Sequence, residues 1–220
     1  MRGRVRFSAP VVKTSTMAHV HGPAPGDTSL VERCQGPTLD VGSGPGRLTV
    51  ALAERGIPAL GIDVTPDAVE LTRSAGALAL MRDVFGRVPG AGRWRTVLLT
   101  DGAIGIGGDP AALLRRIGDL LGPQGRALVE VQPPGENGAA DDQDGGTTAT
   151  TTAYGLPWAS VGADQIGDLA RSAGLVLREL WTASGRWFAA LDGEPADPVT
   201  VGTGPCAADA LGWPATPEPA

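Results

Sequence analysis

The amino-acid sequence predicts an α/β fold built on a seven-stranded, mostly parallel sheet, with helices on both faces and an antiparallel strand hairpin at the C-terminal end. Three observations carry this expectation. Apolar, strand-like runs alternate five times with amphipathic helical windows between residues 38 and 131, the pattern of right-handed β-α-β units. Glycine and proline stand where those windows end. Two last apolar runs, 175–182 and 187–191, are joined only by Ala183-Ser184-Gly185-Arg186, too short for a crossover, so they must pair antiparallel.

Each element has its own reason. Residues 27–34 read as a short helix with Asp27, Thr28 and Ser29 as candidate N-caps. Residues 38–41 form a first buried strand that runs into a glycine loop. A helix from about residue 46 sets Leu48, Ala51 and Leu52 on one face, and Gly56 with Pro58 stops it. Residues 59–63 are the second strand. Thr65-Pro66-Asp67 starts a helix with proline just inside the cap, and Gly76 closes it. Residues 77–84 and 96–101 are the third and fourth strands. Asp109-Pro110 opens a helix whose Leu113, Leu114, Ile117, Leu120 and Leu121 recur at helical spacing until Gly122-Pro123. Residues 125–131 are the fifth strand, and 163–173 a helix ended by Gly174.

The 220 residues, 42% hydrophobic and 19% charged, suffice for one domain with a real core. With 33 Gly and 19 Pro, these two residues far exceed their usual share of about 12%. The excess gathers in segments without hydrophobic periodicity. Residues 1–26 are expected to be a flexible segment or lid carrying Arg2, Arg4, Arg6 and Lys13, 134–153 an acidic, Thr-rich insert, and 193–220 a Pro/Ala-rich disordered tail. The domain proper is then 27–192.

A net charge of −6 argues against nucleic acid as a partner, because counterion release needs a Lys/Arg surface. Cys34 and Cys206 are too few for a disulfide framework or a metal site, which points to reduced thiols in the cytoplasm. No apolar run approaches the roughly 18 residues of a membrane span. The expected partner is therefore a small molecule, with no membrane and no metal. The sequence leaves the oligomeric state open.

The most informative stretch is Leu39-Asp40-Val41-Gly42-Ser43-Gly44-Pro45-Gly46, where a strand ends in glycines and a helix begins. Ligands of open α/β sheets bind at such strand ends. The spacing is G-x-G-x-G, and Arg47 stands where a dinucleotide fingerprint would need its third glycine; no P-loop Gly-Lys follows either. Asp63, closing the second strand, can accept both hydroxyls of a ribose. Asp83 can accept from an exocyclic amine, with Val84 and Phe85 offering apolar contact to a base. Asp40 can face an ammonium, directly or through water. Such a set suits a ligand with an amino acid at one end and adenosine at the other.

At these residues the sequence resembles the class I S-adenosylmethionine-dependent methyltransferases, over about residues 30–192. The resemblance rests on LDVGSGPG, on GIDVTPDAVELTR, and on LLTDGAIGIGGDPAALLRRIGDLLGPQGRALVEV, and it looks closest to small bacterial members. It implies a Rossmann-like sheet and S-adenosyl-L-methionine as cofactor, leaving S-adenosyl-L-homocysteine as product. Asp40, Gly42, Ser43, Gly44 and Gly46 would bound the methionine part and Asp63, with Val64 beside it, the ribose. Asp83 and Val84 would lie at the adenine.

Methyl transfer from a sulfonium is an in-line displacement, so positioning can supply much of the rate, and a base is needed only if the acceptor must lose a proton. The acceptor is expected beside the ends of the fourth and fifth strands. Asp101 is the first polar candidate there, for acceptor or cofactor, and His19 and His21 are candidate bases. Trp158 is a candidate pocket floor, and Asp141, Asp142 and Asp144 could attract a cationic acceptor. The absence of an N/D-P-P-Y/F motif after the fourth strand gives no support to nucleobase amino methylation. Competing readings are a non-catalytic cofactor-binding module, the same fold running non-methyl chemistry and, disfavoured by Arg47, an NAD-dependent oxidoreductase.

Overall fold

The computed structural model describes residues 23–136, 150–151 and 157–193. The chain runs α1 (Asp27–Val31), β1 (Thr38–Val41), α2 (Arg47–Glu54), β2 (Ala59–Asp63), α3 (Pro66–Ser74), β3 (Ala79–Met81) and β4 (Trp94–Leu99). A 3-10 turn follows (Ala103–Gly105), then α4 (Pro110–Leu120), β5 (Leu121–Val131), the short pair β6 (Thr150–Thr151) and β7 (Pro157–Trp158), α5 (Ile166–Ser172), β8 (Leu175–Ala183) and β9 (Arg186–Gly193).

Seven strands make one sheet in the order β3-β2-β1-β4-β5-β9-β8. Strands β1 to β5 are parallel, and β9 is antiparallel to both β5 and β8. The hairpin expected from turn length is present, closed by Ser184 and Gly185, both at positive φ, as a two-residue connection of this twist requires.

Strand periodicity sorts the core into two layers. Leu98, Leu128, Phe188 and Ala190 face α1 and α2, where Leu30, Val31, Leu48 and Leu52 complete one cluster. Their neighbours Val97, Leu99, Ala127, Val129, Ala189 and Leu191 face the other way, onto Leu113, Leu114 and Ile117 of α4 and Ile166 and Ala170 of α5. Asp40 lies between Leu39 and Val41, which belong to the α4–α5 layer, so its own side chain projects under α2.

The structure corrects several boundaries. The N-cap of α1 is Gly26, and Asp27 is its first helical residue; none of the three expected caps occupies that position. Strand β3 holds three residues instead of eight, because it is the edge of the described sheet: Leu78 and Met81 are exposed, and among the described residues only β2 lies beside it. Strand β4 begins earlier, at Trp94, whose indole donates to the Pro89 carbonyl at 3.0 Å. Strand β5 begins directly after α4. Gly122-Pro123, read as a stop, is absorbed in a register shift opposite Trp94 and Thr96, with Gln124 at φ 59°. Asp109 does cap α4, accepting from the Ala112 N–H at 2.9 Å.

Candidate functional site

The site is assembled from the carboxyl ends of β1, β2 and β4. The glycine loop is tied to β2, since the Gly42 and Ser43 amides donate to the Ile62 carbonyl at 2.9 and 3.1 Å. Asp63, at the end of β2, accepts from the Gly44 N–H at 2.9 Å and the Thr65 N–H at 2.8 Å, one bond on each oxygen. Each carboxylate oxygen retains acceptor capacity beyond those bonds. The Gly44 carbonyl accepts from the Thr72 hydroxyl of α3 at 3.2 Å.

The glycines of the loop do different jobs. Gly44 has φ +52°, and a Cβ added there would meet no atom of the described residues within 4 Å, so among them nothing covers its outer side beside Asp63. Gly46 is packed shut, because a side chain would run into Thr72. A Cβ at Gly42 would stand 3.1 Å from Ile106 Cδ1, so that glycine keeps the turn after β4 close to the loop.

The remaining expected residues are distributed as follows. Asp40 is 2% exposed and accepts from the Thr49 hydroxyl at 2.7 Å. Burial, and then the nearby charges of Asp101 and Asp63, push its carboxyl up to about 6 against the help of Thr49. The Ser43 hydroxyl is turned inward against Gly61 and finds no hydrogen-bond partner among the described residues. Val64 and Phe85 are exposed apolar side chains, and Phe85 lies over Gly107. Asp83 is exposed and accepts from the Phe85 N–H at 2.9 Å, the local turn such a residue favours. Val84 is buried in the core. Trp158 packs against Gly102 and Gly105, while the Ala159 N–H donates to the Gly105 carbonyl at 3.1 Å. His19, His21, Asp141, Asp142 and Asp144 lie outside the described residues.

Asp101 sits just past β4 at φ 52° and belongs to a charged cluster. Arg47, the first residue of α2, pairs with Asp27 and, at 2.5 Å, with Asp101. Arg186, the first residue of β9, grips Glu130 of β5 through two bonds of 2.8 and 2.7 Å. It also reaches Asp27 at 2.8 Å and Asp101 at 3.3 Å. The Asp101 N–H donates to Glu130 at 2.7 Å. Within the cluster the Asp27 side chain is 1% exposed and that of Asp101 64%. The two guanidiniums offset two enclosed carboxylates, so the outward-facing charge is that of Asp101. Hydrogen bonding to Glu130 shifts the Arg186 guanidinium upward, which keeps it charged.

Sequence reasoning missed this cluster. Arg47 counted only as a missing glycine and Asp27 as a cap, while Glu130 within the apolar run Ala127-Leu128-Val129-Glu130-Val131 was the available signal. A shallow cleft of about 540 Å³, lined by residues that include Asp109, Pro110, Ser160 and Gln165, lies at the start of α4 and contains none of the glycine-loop residues. It lies apart from the glycine loop and from the Asp63 carboxylate beside Gly44. Among the described residues, no group of three His, Cys, Asp or Glu could hold a metal, and no helix is long and apolar enough to cross a membrane.

Residues 28–180 match the family model of the methyltransferase domain. The chain belongs to the class I S-adenosylmethionine-dependent methyltransferases. No curated protein matches this methyltransferase in sequence. Among solved structures it is similar in fold to an S-adenosylmethionine-dependent methyltransferase from Bacteroides fragilis in complex with S-adenosyl-L-homocysteine. The two are 22% identical with a TM-score of 0.60, and the match covers 75% of each chain. It also resembles 1,6-didemethyltoxoflavin-N1-methyltransferase from Burkholderia thailandensis, 19% identical, TM-score 0.53, covering 71% of this chain and 70% of that one. A third likeness is to an O-methyltransferase from neocarzinostatin biosynthesis, 19% identical, TM-score 0.57, covering 76% and 53%. The residues at the glycine loop fit the family's cofactor: an approach over Gly44, open among the described residues, lies beside a carboxylate with free acceptor sites.

Proposed function

We propose that this methyltransferase moves a methyl group to a small-molecule acceptor by in-line displacement. The observation that carries the reading is the pairing of Gly44 with Asp63, a backbone surface unobstructed among the described residues next to an oriented carboxylate. When bound, S-adenosylmethionine supplies a methyl group on a positively charged sulfur. The backbone from Gly42 to Gly46 would take its methionine part, Asp63 the ribose hydroxyls, and the segment from Asp83 to Phe85 the base. The chain's contribution to rate is positional: the loop is fixed by four hydrogen bonds to β2 and α3, and Arg47 and Arg186 hold Asp101 toward the acceptor side.

The net charge of −6 and the carboxylate of Asp101 support an uncharged or hydrogen-bond-donating small molecule over nucleic acid. The toxoflavin and neocarzinostatin enzymes were crystallised with 1,6-didemethyltoxoflavin and 1,4-dihydroxy-2-naphthoic acid respectively, which supports an acceptor of that size class.

Calorimetric titration with S-adenosylmethionine and S-adenosylhomocysteine tests the reading. Gly44→Val and Asp63→Ala are expected to weaken both affinities at least tenfold; valine at φ +52° also strains the backbone and Asp63→Ala frees two backbone N–H groups, so thermal melting of each variant separates lost binding from lost folding. No binding at millimolar ligand overturns it. Turnover of labelled cofactor against an acceptor panel separates the enzyme from a non-catalytic binding module.

A further inference from the structure

Two acidic side chains are fully buried among the described residues, Asp27 and Asp40, and only one of them is neutralised. Asp27 is enclosed by Arg47 and Arg186. Asp40 has no ion-pair partner among the described residues. Its single side-chain donor is the Thr49 hydroxyl.

The surroundings of Asp40 are defined on every side. Helix α2 offers Thr49 from above, while Arg47 at the start of that helix is committed to Asp27 and Asp101. Strand β2 places Gly61 opposite Asp40 in register and ends in Asp63. Strand β4 places Leu98 opposite it on the other side and leads to Asp101. Beyond α1, the Cys34 thiol is pushed up to about 12 by burial, so it stays neutral. Asp63 and Asp101 both oppose ionisation of Asp40. The Ser43 hydroxyl, which could have helped it, is directed against Gly61 with no partner among the described residues. The pocket under the glycine loop therefore holds the protonated acid to higher pH than water does.

A cation above the loop opposes that shift, because charges interact strongly across a low-dielectric interior. S-adenosylmethionine carries a net charge of +1, and S-adenosylhomocysteine is neutral overall with nearly the same shape. We propose that Asp40 is a proton-linked positioning residue: it carries a proton in the free protein under mildly acidic conditions and releases that proton to solvent when the sulfonium cofactor docks above it. The O–H bond of the acid breaks, the carboxylate remains, and no other group changes. Asp40 thereby acts through charge from beneath the loop, favouring the methyl donor over the spent product. The inference rests on the cofactor reading given above.

The test is titration of the whole chain with each ligand between pH 5 and 7, with proton exchange measured at pH 6 in two buffers of different ionisation enthalpy. Affinity for S-adenosylmethionine is expected to weaken about fivefold from pH 7 to pH 5, as a carboxyl titrating near 6 and lowered by about one pH unit on binding requires. Both ligands carry the ammonium that Asp40 can face, so S-adenosylhomocysteine should show a shallower slope and a smaller proton release than the sulfonium, which adds one further positive charge. Asp40→Asn keeps an acceptor for Thr49 and should remove both the slope and the proton release. That variant also separates Asp40 from every other group that exchanges protons over this range. Equal slopes for the two ligands, no proton release, or a slope that survives Asp40→Asn overturns the inference while leaving cofactor binding intact. Absence of binding at pH 7 overturns the cofactor reading and this inference together. If Asp40→Asn does not fold, the comparison of the two ligands on the unaltered chain decides.

Discussion

At the scale of single residues, the charged cluster is where sequence and structure part most clearly. Asp27 looks like a cap because it precedes a helical window, yet its carboxylate is fixed by two arginines 20 and 159 residues away. No local pattern encodes such a pairing. Asp63 was legible because strand-end carboxylates are set by strand length, and the glycine loop because its conformations exclude most side chains. Arg186→Met should cost about 3 kcal/mol in denaturant unfolding, because it strips one partner from buried Asp27 and both side-chain donors from Glu130. Arg186→Lys cannot reproduce the paired bonds to Glu130 and should recover only part of that loss. A loss below about 0.5 kcal/mol in Arg186→Met would show the cluster to be a surface ion-pair network of little weight.

At the scale of elements, alternation of strand and helix was readable throughout, and boundaries failed where tertiary packing overrides local signals. The fifth strand swallows a Gly-Pro pair because Leu121 already pairs with Trp94 of β4 and the ladder resumes at Arg126, the residues between being taken up in the register shift. The third strand stops after three residues because, among the described residues, one side has no neighbour. Strand β7 shows the same dependence on distant partners: Trp158 fits only because Gly105 lacks a side chain. A Cβ there would strike the Ala159 carbonyl and the indole ring. Gly105→Ala should therefore release the 157–159 segment, shift Trp158 fluorescence toward that of a hydrated indole, and cost about 1–3 kcal/mol, within the range for overpacking. Unchanged emission and stability would mean that this segment is not anchored on the turn after β4.

At the scale of the whole molecule, the open, mostly parallel sheet and its reversed hairpin are legible in the sequence, because strand–helix alternation and turn length leave few alternatives; the spatial order of the strands is not, since it depends on contacts between residues far apart in the chain. Strand β9 ends at Gly193, which pairs with Leu175 of β8. A chain stopped after Gly193 keeps every ladder described for the sheet. It is expected to retain cooperative unfolding and cofactor affinity within twofold of the full chain, measured by thermal melting and titration. A collapsed melting transition would place residues 194–220 among the determinants of the fold.

The sheet order also sets a timetable for biosynthesis. Strand β9 lies inside the sheet, between β5 and β8, although it leaves the ribosome after every other strand described in that sheet. Until it emerges, β5 presents a bare edge, and Asp27, made 159 residues before Arg186, waits for half of its charge compensation. The nascent chain can form its glycine loop early, but the charged cluster around Asp27 and Asp101 is completed only when the hairpin of β8 and β9 folds back into place.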